Sequence, residues 1–288
     1  MAMSRRHAKP RLSPIWMPYL RDKLADHLDH PPLPFHHVTD YQRELAGAWS
    51  NGDGLRHAPM WWVSRDMTTL AVHTALHEDP PEVVAPSAMG FILFDGGLDL
   101  TGAPDAPLAH IVGLRWAVET SADGADHVGM EMFSDDPGVR ELMQCPLPLV
   151  PMPRSVANDA AFVREANVFE RVLRAVWALS AEPTVCTVDR PDRPTGLEPL
   201  PPRMVDNAVR DVRMVILREN IHSTRSGAES DSGSRREYSH RFIVRGFWRN
   251  QAYGKNHELR RRQWIPPFVK GPADKPLIAK DTVRIWRR

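Results

Sequence analysis

Twenty-seven prolines among 288 residues, roughly twice the usual frequency, set the first limit on how this chain folds. Each proline fixes φ and lacks an N–H donor, which argues against long helices throughout and favours many short elements with stiff connections. The prolines cluster: His30-Pro-Pro-Leu-Pro-Phe35, Asp79-Pro-Pro81, Pro146-Leu-Pro-Leu-Val-Pro-Met-Pro153 and residues 183–202. Between these breaks the hydrophobic period changes. Ile15 to Leu28, Asp40 to Trp49 and Met67 to His77, the last opened by Ser64 or Asp66, have the pattern of short amphipathic helices. Met89–Phe94, His110–Val118 and His127–Phe133 are short β-type runs separated by Gly/Asp/Pro clusters, as in an antiparallel meander. Asn158 to Leu179 is the clearest helix, with Val163, Ala166, Phe169, Val172, Leu173, Val176 and Trp177 at three- and four-residue steps. Val209 to Leu217 reads as a strand, and the small polar residues 222–236 as a mobile loop.

The fold expected from this pattern is α+β. An N-terminal α+β domain would cover residues 1–150, with residues 1–14 a basic arm. A central helix and Pro-rich connector would cover 151–202, and a small basic β-module 203–288. Both cysteines, Cys145 and Cys186, stand outside any CxxC, which excludes a disulfide framework or an all-cysteine zinc site. No stretch approaches 18 uninterrupted apolar residues, so the expectation is a cytoplasmic protein with reduced thiols and no membrane partner.

Charge is distributed unevenly. Residues 235–288 hold 15 lysines and arginines against 4 acids, while residues 1–234 hold 22 basic and 32 acidic side chains. An asymmetry of this size points to a polyanionic partner. The alternative is a basic tail that docks on the acidic body. In Tyr238-Ser-His-Arg-Phe-Ile-Val-Arg-Gly-Phe-Trp-Arg-Asn-Gln251, read as one strand, Tyr238, His240, Phe242, Val244 and Trp248 share one face. Arg241, Ile243, Arg245, Phe247 and Arg249 share the other. Arginines four residues apart would sit roughly 13 Å apart and track a phosphate backbone. Arg260, Arg261 and Arg262 add a second positive cluster, Lys270 a further cation, and Phe247, Trp248, Tyr253 and Trp264 offer faces on which unpaired bases can stack.

The strings His240–Gln251, Trp264-Ile-Pro-Pro-Phe-Val-Lys-Gly-Pro272 and Pro276-Leu277 resemble the C-terminal signature of uncharacterised proteins from actinobacteria and their phages. Trp61-Trp-Val-Ser-Arg-Asp-Met67 and Gly90-Phe-Ile-Leu-Phe94 resemble the same group, so the likeness spans most of the chain. More distantly, the arginine-aromatic tail is similar to phage-encoded anti-CRISPR proteins that lower the messenger RNA of a type V effector. The signature often carries a histidine where this chain has Phe247, so any chemistry of that histidine is lost here.

Established catalytic signatures are few. P-loop, GxGxxG and GxSxG sequences are absent, which argues against nucleotide hydrolysis, dinucleotide chemistry and α/β-hydrolase activity. His73 and His77 lie one helical turn apart, but HExxH order and a third ligand are lacking. His36-His37 and Asp135-Asp136 read as loop and turn, so no metal or other cofactor is expected. Metal-free RNA cleavage needs a base, an acid and cations. His240, His257 and Tyr253 supply the first two, with Arg245 and Arg249 as cations. The leading expectation is a phage- or mobile-element-associated nucleic-acid-binding protein, RNA ahead of DNA. A ribonuclease or toxin-like enzyme and a module that docks an acidic protein are the alternatives.

Overall fold

A computed structural model describes residues 11–30, 52–101, 109–120, 126–142, 145–152, 160–195, 200–218 and 238–279. The expected helix Asp40–Trp49, the His36-His37 pair, the loop 222–236 and Val283–Arg288, whose alternating sequence suits a strand closing a small sheet, lie outside these residues.

Six α-helices are described: α1 (Met17–Asp29), α2 (Gly52–His57), α3 (Arg65–His77), α4 (Pro137–Leu142), α5 (Ala160–Ser180) and α6 (Pro202–Asp211). Seven strands form the main sheet: β1 (Met60–Val63), β2 (Met89–Phe94), β3 (Ile111–Thr120), β4 (Asp126–Ser134), β5 (Val150–Pro151), β6 (Cys186–Asp189) and β7 (Val212–Leu217). Their spatial order is β5-β4-β3-β2-β1-β7-β6. The fold is α+β. β2, β3 and β4 form the expected antiparallel meander, whereas β1 runs parallel to both β2 and β7. Helix α3 supplies the crossover that a parallel β1–β2 pair requires.

Alternation along the central strands splits the core into two layers. Trp61, Val63, Ile92, Phe94 and Val215 face one side and pack with α3 and α5. Met60, Trp62, Phe91, Leu93 and Val212 face the other and pack with α1, α2 and α6. The four residues of β1 are buried, so it carries no polar alternation and cannot be told from a buried helix turn by pattern.

The sheet runs through the boundary expected near residue 150. β6 pairs with β7, and β7 with β1, so strands from both sides of that point share one ladder. Proline misleads here because Pro201-Pro202 opens a helix, at the positions where the missing N–H costs nothing, rather than ending one. Likewise Pro137, expected in a turn, starts α4, with Asp136 Oδ1 accepting from Gly138 N–H at 2.7 Å. Helix α1 is tied to α2 by Arg56, which bonds Asp26 at 2.9 Å and Asp29 at 2.6 Å. Those bonds hold the Asp26 carboxyl below the usual carboxylate range; for Asp29 the N–H of Gly52 is the larger cause.

Among the described residues, no helix is long and apolar enough to cross a membrane. Both cysteines are free and buried. Burial pushes the Cys186 thiol up to about 11 and raises that of Cys145. At neutral pH neither thiol should react with iodoacetamide in the folded protein, and both should label in urea; rapid labelling of Cys186 without denaturant would contradict its burial.

Candidate nucleic-acid interface

The basic segment folds as two small antiparallel sheets. β8 (Phe242–Val244) pairs with β11 (Phe268–Lys270), and β9 (Phe247–Tyr253) pairs with β10 (Leu259–Ile265). The β9–β10 turn uses left-handed backbone at Gly254, Asn256 and His257, which bends the chain within five residues.

The single strand expected from Tyr238 to Gln251 is broken at Arg245-Gly246. Ile243 on β8 and Trp248 on β9 both pack against the α3–α5 layer. Side chains five positions apart on an unbroken strand would face opposite ways. The chain therefore slips by one residue at Arg245-Gly246, and the opposing strands slip likewise at Pro266-Pro267, since Trp264 and Val269 are both buried. Gly246 makes the break possible. Its N–H donates to Glu78 Oε1 at 2.9 Å, and a Cβ there would lie 2.6 Å from Glu78 Oε2 and 2.8 Å from the carbonyl of Ile265. Burial raises the Glu78 carboxyl above the usual range, against the Gly246 N–H and the Arg245 charge, which lower it.

Three bonds anchor the module to the ends of α3. Arg241 Nη1 donates to Asp66 Oδ2 at 2.6 Å and its Nε to the carbonyl of Lys275 at 2.6 Å. Gly246 N–H reaches Glu78, and Trp248 Nε1 donates to the carbonyl of Asp79 at 3.0 Å. Part of the basic tail thus docks on the acidic body, as the alternative charge reading allowed. The expected row of Arg241, Arg245 and Arg249 on one face does not form, because Arg241 is spent on Asp66 and the strand breaks at Arg245. Trp264, 8% exposed, sits in the core, and Trp248 lies over Asp79 with the Arg262 guanidinium 4.4 Å from its ring centroid. Both tryptophans are docking residues here, not open stacking faces.

What remains exposed is the other face of the hairpin. The register pairs Phe247 with Ile265, Arg249 with Gln263, Gln251 with Arg261 and Tyr253 with Leu259. Directly opposed residues share a face, so these eight side chains point away from Trp248 and Trp264. Phe247, Tyr253 and Leu259 are 56%, 42% and 54% exposed. Arg249, Arg260, Arg261 and Arg262 are all exposed, and β9 and β10 contain no acidic residue. Among the described residues none of these four arginines is paired with a carboxylate: Arg260 donates to the carbonyl of His257 at 3.0 Å, and Arg261 lies 5.7 Å from the Tyr253 ring centroid. Arg245 is exposed between the sheets, and Lys270 is exposed on β11 with its Nζ 5.7 Å from the Tyr238 ring centroid.

The acid–base candidates fall on different parts of the module. His240 precedes β8, beside Ser239 and the Phe242 ring; His257 is in the hairpin turn, and Tyr253 ends β9. No described hydrogen bond or ring contact joins His240 to His257 or to Tyr253. The rings of His73 and His77 lie 4.8 Å apart on α3, and no group of three or more metal-ligating side chains occurs among the described residues. Gln251 and Gln263 escaped the sequence reading. A hairpin centred on the glycine turn at 254 was the signal that would have paired them with arginines. Comparison with protein-family models, curated proteins and solved structures finds no match.

Proposed function

We propose that the protein binds nucleic acid, RNA ahead of DNA, with the outward face of the β9–β10 hairpin. The observation that carries this reading is the uncompensated charge of Arg249 and Arg261 on that face, with Arg260 and Arg262 exposed on the opposite face of the same two acid-free strands. Guanidinium groups held by carboxylates contribute little to a polyanion, whereas Arg249 and Arg261 are available to meet one on the outward face. Phe247 and Tyr253 add exposed aromatic surface beside them. Specific RNA recognition acts mainly on unpaired bases, whose faces such side chains can stack, and this puts RNA first. The resemblance of the tail to phage proteins supports a role in a phage or mobile element.

The test is fluorescence anisotropy with labelled single-stranded RNA, single-stranded DNA and duplex DNA. Arg249→Ala/Arg261→Ala should weaken binding by roughly tenfold or more and flatten the slope of log K against log salt, as two cations are lost from the face that meets the polyanion. Arg241→Ala, which removes a structural bond to Asp66, should lower stability and leave that slope unchanged. Absence of binding to every probe would sink the reading, and a stable complex with an acidic protein in its place would favour the docking alternative. Probes recovered intact would leave no role for acid–base chemistry at His240 and His257.

A further inference from the structure

Phosphate binding needs only positive charge, yet the middle of the hairpin's outward face is more specific than that. Arg249 stands directly opposite Gln263, and Gln251 directly opposite Arg261. Arginine and glutamine therefore alternate along both strands and across them, forming a square of four side chains. Phe247 and Tyr253 bracket the square on β9. Both arginines are exposed and both glutamines half-buried. The Gln251 amide is held, with Nε2 donating to the carbonyl of Ala252 at 3.0 Å.

We propose that this square reads the exposed edges of unpaired purines, arginine taking guanine and glutamine taking adenine. The inference rests on the nucleic-acid reading above and narrows it to a ligand class. Arginine and glutamine are side chains able to make two parallel hydrogen bonds to a purine: arginine to O6 and N7 of guanine, glutamine to N6 and N7 of adenine. Pyrimidines lack N7, so this pattern of two bonds along the O6/N7 or N6/N7 edge is closed to them. Neighbouring pairs on one strand face are about 7 Å apart along the strand, from twice a rise of roughly 3.3 Å, so each pair can take a separate base. A β-ribbon also fits the major groove of duplex DNA. The flanking rings decide between the two, because Phe247 and Tyr253 gain from stacking only on base faces that are not already stacked inside a duplex. The square thus selects bases, while Arg260 and Arg262, on the opposite face of the hairpin, add positive charge without selection.

Equal-length single-stranded RNA probes, one of mixed adenine and guanine and one of mixed uracil and cytosine, test this by anisotropy. The purine strand annealed to its complement is the third probe. Wild type should bind the purine strand at least about tenfold more tightly than the pyrimidine strand or the duplex. Gln251→Ala/Gln263→Ala should reduce that preference, the guanine contacts of Arg249 and Arg261 remaining, while the affinity for the pyrimidine probe and the salt slope stay unchanged, with the melting curve reporting that the variant is folded. Equal binding of the two strands overturns the purine readout but leaves nucleic-acid binding standing. Tighter binding of the duplex overturns the unpaired ligand, and a preference undiminished by the double substitution overturns the role of the glutamines. Failure to bind any probe overturns the nucleic-acid reading beneath the inference.

Discussion

Trp264→Ala should lower stability by about 3–5 kcal/mol, the cost of emptying a large aromatic site in a core. The indole is 8% exposed and belongs to the cluster that contains Trp61, Trp177 and the apolar face of α3. Its removal also frees the base of the hairpin, where Trp264 stands opposite Trp248. Two measurements follow. Urea unfolding should show a lower midpoint, and trypsin should cut among Arg249, Arg260, Arg261 and Arg262 before the rest of the protein opens. Arg262→Ala makes the comparison sharp, since it removes only an exposed guanidinium over Trp248 and should cost about 1 kcal/mol or less. A Trp264→Ala midpoint equal to wild type would show that the module is not held by this contact.

Glu131→Ala should be comparably damaging for a different reason. Arg115 on β3 and Glu131 on β4 are register partners, their side chains 6% and 7% exposed, and Nη1 lies 3.0 Å from Oε2. Deleting the carboxylate removes a charged partner of a guanidinium that water barely reaches, at a cost of about 3–5 kcal/mol. Replacing both residues, as Arg115→Met/Glu131→Leu, should recover most of that loss, because the burial of charge disappears with the charge. Thermal unfolding of the single and double variants distinguishes the two effects. A double variant as unstable as Glu131→Ala would mean that shape, not charge, governs the site.

The helices legible in the sequence were those with an amphipathic stripe: α1, α3 with Ser64 at its N-cap, and α5 all appear within a few residues of expectation. The meander was legible too, because Gly/Asp/Pro clusters mark its turns. β1 was not, since four buried residues show no alternation, and β6 and α6 were hidden in a Pro-rich stretch where proline starts a helix. The basic module was legible as charge and aromatics but not as faces. Its two one-residue slips depend on the N–H of Gly246 finding Glu78, a partner 168 residues away. No local pattern reports such a partner. Without the slips, Trp248 falls on the wrong face and Arg241 looks free.

The same long-range bonds impose an order on synthesis. β1 lies between β2, made soon after it, and β7, whose Val212 pairs with Met60. The layer over α3 then waits further, for Arg241 to meet Asp66 and for Trp264 to enter the apolar cluster. A nascent chain that has reached only β4 therefore carries an open strand edge and an uncovered helix face, both adhesive surfaces. Completion of the fold is thus a late event, and a ribosome that slows between β4 and β7 would lengthen the interval in which chaperones must shield the chain.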